Sequence, residues 1–166
     1  MKKYIFLFAF ALSILASCAP EESTTTYYLI RHAEKDRTDA KNRNPDLNAT
    51  GIARAKRWAA YFKDVDLNLV FSTNYNRTLQ TAKPTAESKE LETYTYNPRV
   101  MYSDAFKLAT KGKKVLVVGH SNTTNAFANA ILGEKKYEQI ADDNNSNLYI
   151  VTVTKGTATS ELLKIE

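Results

Sequence analysis

Beyond the first residues, two short unbroken apolar runs, Tyr27-Tyr28-Leu29-Ile30 and Val115-Leu116-Val117-Val118, each end at a polar, functionally suggestive segment. Short runs of this kind, rich in β-branched residues, fit strands covered on both faces, as in the interior of a parallel sheet. The pattern predicts strands over 27–31 and 114–118, the second the most central, with further strands over 66–72 and 92–96. Between them apolar residues recur at helical intervals. Asn48-Ala49-Thr50-Gly51 reads as the cap of a helix whose inner face carries Ile52, Ala55, Ala59 and Phe62, with Trp58 helping to cover it. A second helix starts near Asn76 and is interrupted or restarted at Pro84, which places Arg77 in its first turn. Ser103 opens a short helix to Ala109, and a fourth over 123–132 ends at Gly133. Leu148–Val153 and Ser160–Ile165 flank Lys155-Gly156 and predict a terminal hairpin. Strand and helix alternate up to about residue 132, so right-handed crossovers are expected. The expected fold class is α/β: a three-layer α/β/α sandwich with a mainly parallel sheet and an antiparallel C-terminal edge.

The first residues break this pattern. Lys2 and Lys3 precede an apolar run, Tyr4 to Ala16, which is too short to span a bilayer and has the layout of a signal peptide. Leu15-Ala16-Ser17-Cys18 follows, and Cys18 is the chain's only cysteine, so it has no disulfide partner. The tetrapeptide resembles the lipobox of bacterial lipoproteins, which implies lipidation of Cys18; an ordinary secretory cleavage near Ala16 or Ala19 is the alternative. The expected organisation is a lipoprotein signal peptide over 1–17, a lipidated cysteine and Glu/Ser/Thr-rich tether over 18–26, and one domain over 27–166. About 140 residues suffice for one sizeable core. The implied location is the bacterial cell envelope, with the domain exported and held by a lipid anchor alone. The formal charge of +5, or +3 without Lys2 and Lys3, is spread along the chain and argues against a nucleic-acid partner.

Candidate chemistry sits at the strand ends. The chain has two histidines, and each sits where an apolar strand-like run ends: His32 in Arg31-His32-Ala33-Glu34 and His120 in Gly119-His120-Ser121-Asn122. In an open α/β sheet ligands bind beyond the carboxyl ends of the strands, so both imidazoles can face one small ligand. Arg31 beside His32 makes phosphate the leading candidate. Arg77 points the same way, because a cation in the first turn of a helix is disfavoured unless an anion lies nearby.

Together with Ser72-Thr73-Asn74-Tyr75-Asn76-Arg77-Thr78-Leu79-Gln80-Thr81-Ala82, these motifs, in this order, resemble the histidine phosphatase superfamily of phosphoglycerate mutase-like fold. The resemblance implies that His32 is a nucleophile that becomes phosphohistidine, that Arg31, Arg77 and His120 surround the phosphoryl group, and that no metal or other cofactor is required. Neutral imidazole attacks, so the other ring N–H of His32 should be held by a backbone carbonyl or similar acceptor that fixes the tautomer. Asn122 is a candidate substrate-binding residue, or the N-cap of the helix after it. Ala33 stands where the family more often has glycine. The family's glutamate acid has no counterpart; Asp104 is the carboxylate closest to the corresponding stretch and the candidate acid, its other role being to favour a helix start. Ser121 in place of an aspartate argues against a phytase, and Glu34 is expected to point away from the site. The implied activity is metal-independent hydrolysis of a phosphoester or phosphoramidate, on a phosphorylated small molecule or phosphoprotein. Alternatives are a phosphohistidine-protein phosphatase-like activity and a non-catalytic phosphate-binding envelope module. The shortness of the domain argues against a mutase.

Overall fold

The computed structural model describes residues 23–166; the expected signal peptide and Cys18 lie outside the described residues. Six strands form one sheet: β1 (Thr25–Arg31), β2 (Leu69–Ser72), β3 (Thr93–Thr95), β4 (Lys114–Gly119), β5 (Asn147–Thr154) and β6 (Thr157–Lys164). Their order is β3-β2-β4-β1-β5-β6. β1, β2, β3 and β4 pair in parallel, whereas β5 is antiparallel to β1 and β6 to β5. Four helices lie between them: α1 (Ala49–Tyr61), α2 (Asn76–Ser88), α3 (Asp104–Thr110) and α4 (Thr124–Leu132). The fold is the mainly parallel α/β arrangement with an antiparallel edge that the alternation predicts.

The two central strands alternate side chains into two cores, which is why their runs are apolar throughout. Leu29, Val115 and Val117 pack with Phe106 of α3 and Phe127 of α4 on one face. Ile30, Leu116 and Val118 pack with Trp58, Phe62 and Ala82, from the α1 and α2 side, on the other. Both helical layers therefore press on β1 and β4 and hold the strand ends in register: Arg31 lies opposite Gly119, and the amide of His32 donates to the Gly119 carbonyl at 2.9 Å. A Cβ on residue 119 would come within 3.0 Å of the hydroxyls of Thr124, Thr123 and Tyr96, so glycine is what lets α4 close over this strand end.

Four local expectations are corrected. β1 begins at Thr25, inside the segment read as tether, because Thr25 is buried, lies opposite Val153 and accepts from the amide of Gly112 at 2.8 Å. β2 is shorter than 66–72. In α1 the buried residues are Gly51, Ala55 and Trp58, and Ile52 is 51% exposed. The helix is rotated because residue 51 sits on the backbone of Glu34, where any Cβ would collide with the carbonyl oxygen. α2 runs through Pro84 without a break. An interior proline costs about 3 kcal/mol, and the helix is held against the sheet on both sides of it by the buried Thr81, Ala82, Thr85 and Ala86.

Candidate active site

The carboxyl ends of β1, β2 and β4 and the N-terminus of α2 meet at a cleft of about 360 Å³ whose walls include Arg31, His32, Arg77 and His120. The two imidazole rings are 5.5 Å apart, centre to centre. His32 is 5% exposed and its backbone is pinned on both sides. Its carbonyl accepts from Asn145 Nδ2 at 2.7 Å, and the next amide, of Ala33, donates to Thr81 Oγ1 at 2.9 Å. Its ring Nδ1 lies 2.7 Å from the Ala33 carbonyl. A carbonyl can only accept, so Nδ1 carries the proton and Nε2 keeps its lone pair, as the chemistry of an attacking imidazole requires.

Electrostatics keep both rings neutral. Burial pushes His32 down to about 3, against the pull of the Ala33 carbonyl, and the charges of Arg31, of His120 when it is protonated, and of Arg77 push the same way. Burial likewise lowers His120 to about 4, helped by Arg77, Arg31 and Lys35. Lys35, also on the wall, is itself lowered by burial and by Arg77. The site is a concentration of positive potential around two uncharged imidazoles, which suits an anionic ligand.

The arginines differ in how much of them is free. Nη1 of Arg31 donates to the carbonyls of Ala141 and Asn144 at 2.8 and 3.0 Å, and Nη2 to Asp142 at 2.9 Å; Nε is buried without a partner. In Arg77 both Nε and Nη1 are buried without partners, and Nη2 lies 3.5 Å from His120 Nδ1. The Tyr75 ring lies 4.5 Å from the Arg77 guanidinium and packs edge-on against His120 at 5.1 Å, filling the angle between them.

Asn122 lies on the cleft wall and is exposed. It is not the cap of α4: Thr123 occupies that position, and its hydroxyl accepts from the amide of His120 at 3.0 Å. Asp104 is corrected as the candidate acid. Its side chain is 99% exposed, pairs with Lys107 at 3.0 Å and is absent from the cleft wall, while Ser103 caps the helix. Glu34 turns away, as expected, to pair with Arg54 at 2.8 Å. Sequence reasoning missed Lys35, Tyr75, Thr73, Asp142 and Asn145. Thr73 and Tyr75 lay within the quoted motif, whereas Asp142 and Asn145 reach the site from the segment between α4 and β5 with no local signal. Among the described residues no group of three or more His, Cys, Asp or Glu could hold a metal ion, and no helix is long and apolar enough to cross a membrane.

Residues 27–101 match the Histidine phosphatase superfamily (branch 1), a segment that contains Arg31, His32 and Arg77. No curated protein matches the chain. Among solved structures the fold is similar to the protein histidine phosphatase SixA complexed with tungstate, at a TM-score of 0.68 and 16% identity over 84% of this chain and 96% of that one. It is also similar to phosphoglycerate mutase from Bacillus anthracis, at 0.67 and 13% identity over 86% and 93%. A phosphoserine phosphatase variant from Entamoeba histolytica, in complex with phosphoserine, matches at 0.65 and 14% identity over 82% and 94%. The sheet order and helices described above are those of a phosphoglycerate mutase-like fold.

Proposed function

We propose that this chain, whose residues 27–101 carry the histidine phosphatase pattern, is a metal-independent phosphatase that hydrolyses a phosphoester or phosphoramidate through a phosphohistidine on His32. One observation carries the reading: Nε and Nη1 of Arg77 and Nε of Arg31 are buried donors without partners, in two arginines that line the same cleft as His32, whose Nε2 is unprotonated. Unpaired buried polar groups cost about 1–3 kcal/mol each, and the oxygens of a phosphoryl group are acceptors of matching charge and geometry. For an ester, Nε2 of His32 attacks phosphorus; the P–N bond forms, the P–O bond breaks, and the departing oxygen keeps the electron pair and takes a proton from solvent. Water then attacks the phosphohistidine, the P–N bond breaks towards nitrogen, and phosphate leaves. The guanidiniums and Lys35 stabilise the charge on the transferring group. Asp142 is the carboxylate on this wall. Burial pushes it up, but hydrogen bonds and charge from Arg31 and Arg37 hold it below the ordinary carboxylate value, so it does not serve as an acid near neutral pH. Leaving groups that need little protonation are therefore favoured.

Rapid quenching with a labelled phosphoester tests the nucleophile: an acid-labile, base-stable adduct is expected in the wild type and none in His32→Ala. An adduct that persists in the variant refutes this role for His32. Turnover of p-nitrophenyl phosphate in EDTA separates an enzyme from a binding module. Tungstate, held by the SixA structure of similar fold, is expected to inhibit. A second reading, removal of phosphate from a phosphohistidine on a protein, is favoured by exposure of Asn122 and Asp142 at the rim, which leaves the cleft open to a protein surface. The N-terminal segment supports export and anchorage by an acylated Cys18.

A further inference from the structure

His120 differs from His32 in what sets its tautomer. Its Nε2 lies 2.9 Å from Thr73 Oγ1, and the Thr73 hydroxyl donates to Thr78 Oγ1 at 3.0 Å. The proton of Thr78 goes in turn to the carbonyls of Thr73 and Tyr75, at 2.8 and 2.9 Å, which can only accept. A hydroxyl has one proton, and that of Thr73 is spent on Thr78. Thr73 therefore accepts from His120. The ring carries its proton on Nε2 and presents a bare Nδ1 beside Arg77 Nη2. Both threonines are fully buried, so water cannot replace either link.

An Nδ1 lone pair repels a phosphoryl oxygen, and the same atom protonated attracts one. The charges acting on the ring are Arg77 from α2 and Arg31 and Lys35 from the end of β1 and the residues after it, with His32 opposite and the Tyr75 ring packed edge-on. Asp142, the carboxylate on the same cleft wall, is paired with Arg31 and Arg37. The charges that act on the ring are cationic, so the entry of a dianion is what makes a proton on Nδ1 favourable.

We propose that Thr73 is a positioning residue, which holds His120 as the Nε2–H tautomer so that Nδ1 takes up a proton from solvent as an oxyanion binds and then donates to it. This rests on the phosphatase reading for its consequence in catalysis, but the device itself is read without turnover. In two-bond proton–nitrogen NMR spectra the ligand-free wild type is expected to show the Nε2–H form of His120. Thr73→Val should give a tautomer mixture, and Thr73→Ser should restore the wild-type form. Thr78→Val frees the Thr73 hydroxyl to donate to Nε2, so it should shift His120 towards the Nδ1–H form. Calorimetry of tungstate binding at pH 7.5, in buffers of different ionisation enthalpy, should report uptake of close to one proton in the wild type and in Thr73→Ser, and clearly less in Thr73→Val. With p-nitrophenyl phosphate, kcat should fall at least tenfold in Thr73→Val with KM within threefold, and recover in Thr73→Ser. A wild-type tautomer and proton count in Thr73→Val, or no proton uptake in the wild type, overturns the proposal. If the wild type binds tungstate yet hydrolyses no phosphoester, the function proposed above fails, and the NMR and calorimetric arms alone decide the role of Thr73.

Discussion

Burying two neutral imidazoles among cations makes the fold sensitive to mild acid. His32 and His120 lie at about 3 and about 4 in the folded chain, against an ordinary 6.5. The folded values are depressed, so between those limits the unfolded chain binds protons that the folded chain refuses, and stability falls as pH falls. The contribution is fully present above pH 6.5. At 1.36 kcal/mol per pH unit, each histidine can remove up to about 2 kcal/mol between pH 6.5 and 5, a ceiling of about 4 kcal/mol for the pair. Relaxation and water entry reduce this, and a loss of about 2 kcal/mol is expected, against a total stability of roughly 5–15 kcal/mol for a typical domain. The window is chosen because ordinary carboxylates remain largely ionised in it. Urea unfolding at half-unit pH steps measures the loss. The double variant His32→Asn/His120→Asn should be nearly flat over the same window. Saturating sulfate, which stays dianionic throughout, should flatten the wild type by placing negative charge beside both rings. No loss in the wild type, or an equal loss in the double variant, refutes the reasoning.

Arg77→Ala should lower kcat/KM by tens to about a thousandfold, or about 2–4 kcal/mol, with little change in Tm; NMR titration should also show the pKa of His120 rising, since Arg77 is the strongest of the charges that depress it. Gly51→Ala should cost about 1–3 kcal/mol or more, read by urea unfolding, because the new methyl group meets the Glu34 carbonyl. Metabolic labelling with a palmitate analogue should mark the wild type and not Cys18→Ala; release of the unmodified wild type into the soluble fraction would contradict the anchor.

The cores of β1 and β4 were legible because both faces of each strand are buried, and a run such as Val115 to Val118 has few other uses. The antiparallel edge was legible from Lys155-Gly156, whose left-handed backbone (φ 53° and 79°) makes a tight hairpin turn. The phase of α1 was not, because it is decided by a contact between Gly51 and Glu34 that apolar periodicity does not encode. Ile52 satisfied the helical spacing as well as Trp58 did. In the site, His32, His120 and Arg77 announced themselves through strand ends and a helix start. Nearness along the chain points to Asp104, yet α3 carries it outward to Lys107. Asp142 and Asn145 are more than a hundred residues from Arg31 and His32 along the chain, and nothing local marks them.

The grip on Arg31 has a consequence for how this site tolerates change. Two of its bonds end on the main-chain oxygens of Ala141 and Asn144, which any residue type would supply. What holds that guanidinium is thus the path of the chain between α4 and β5, more than the letters written along it. Replacing the alanine side chain at 141 leaves the oxygen where it was, whereas removing one residue from that segment displaces both carbonyl acceptors at once and leaves Asp142, the one partner that depends on residue type, to hold the arginine. A substitution at 141 or 144 is therefore expected to leave these two acceptors in place, whereas an insertion or deletion between α4 and β5 is the change that would register at Arg31.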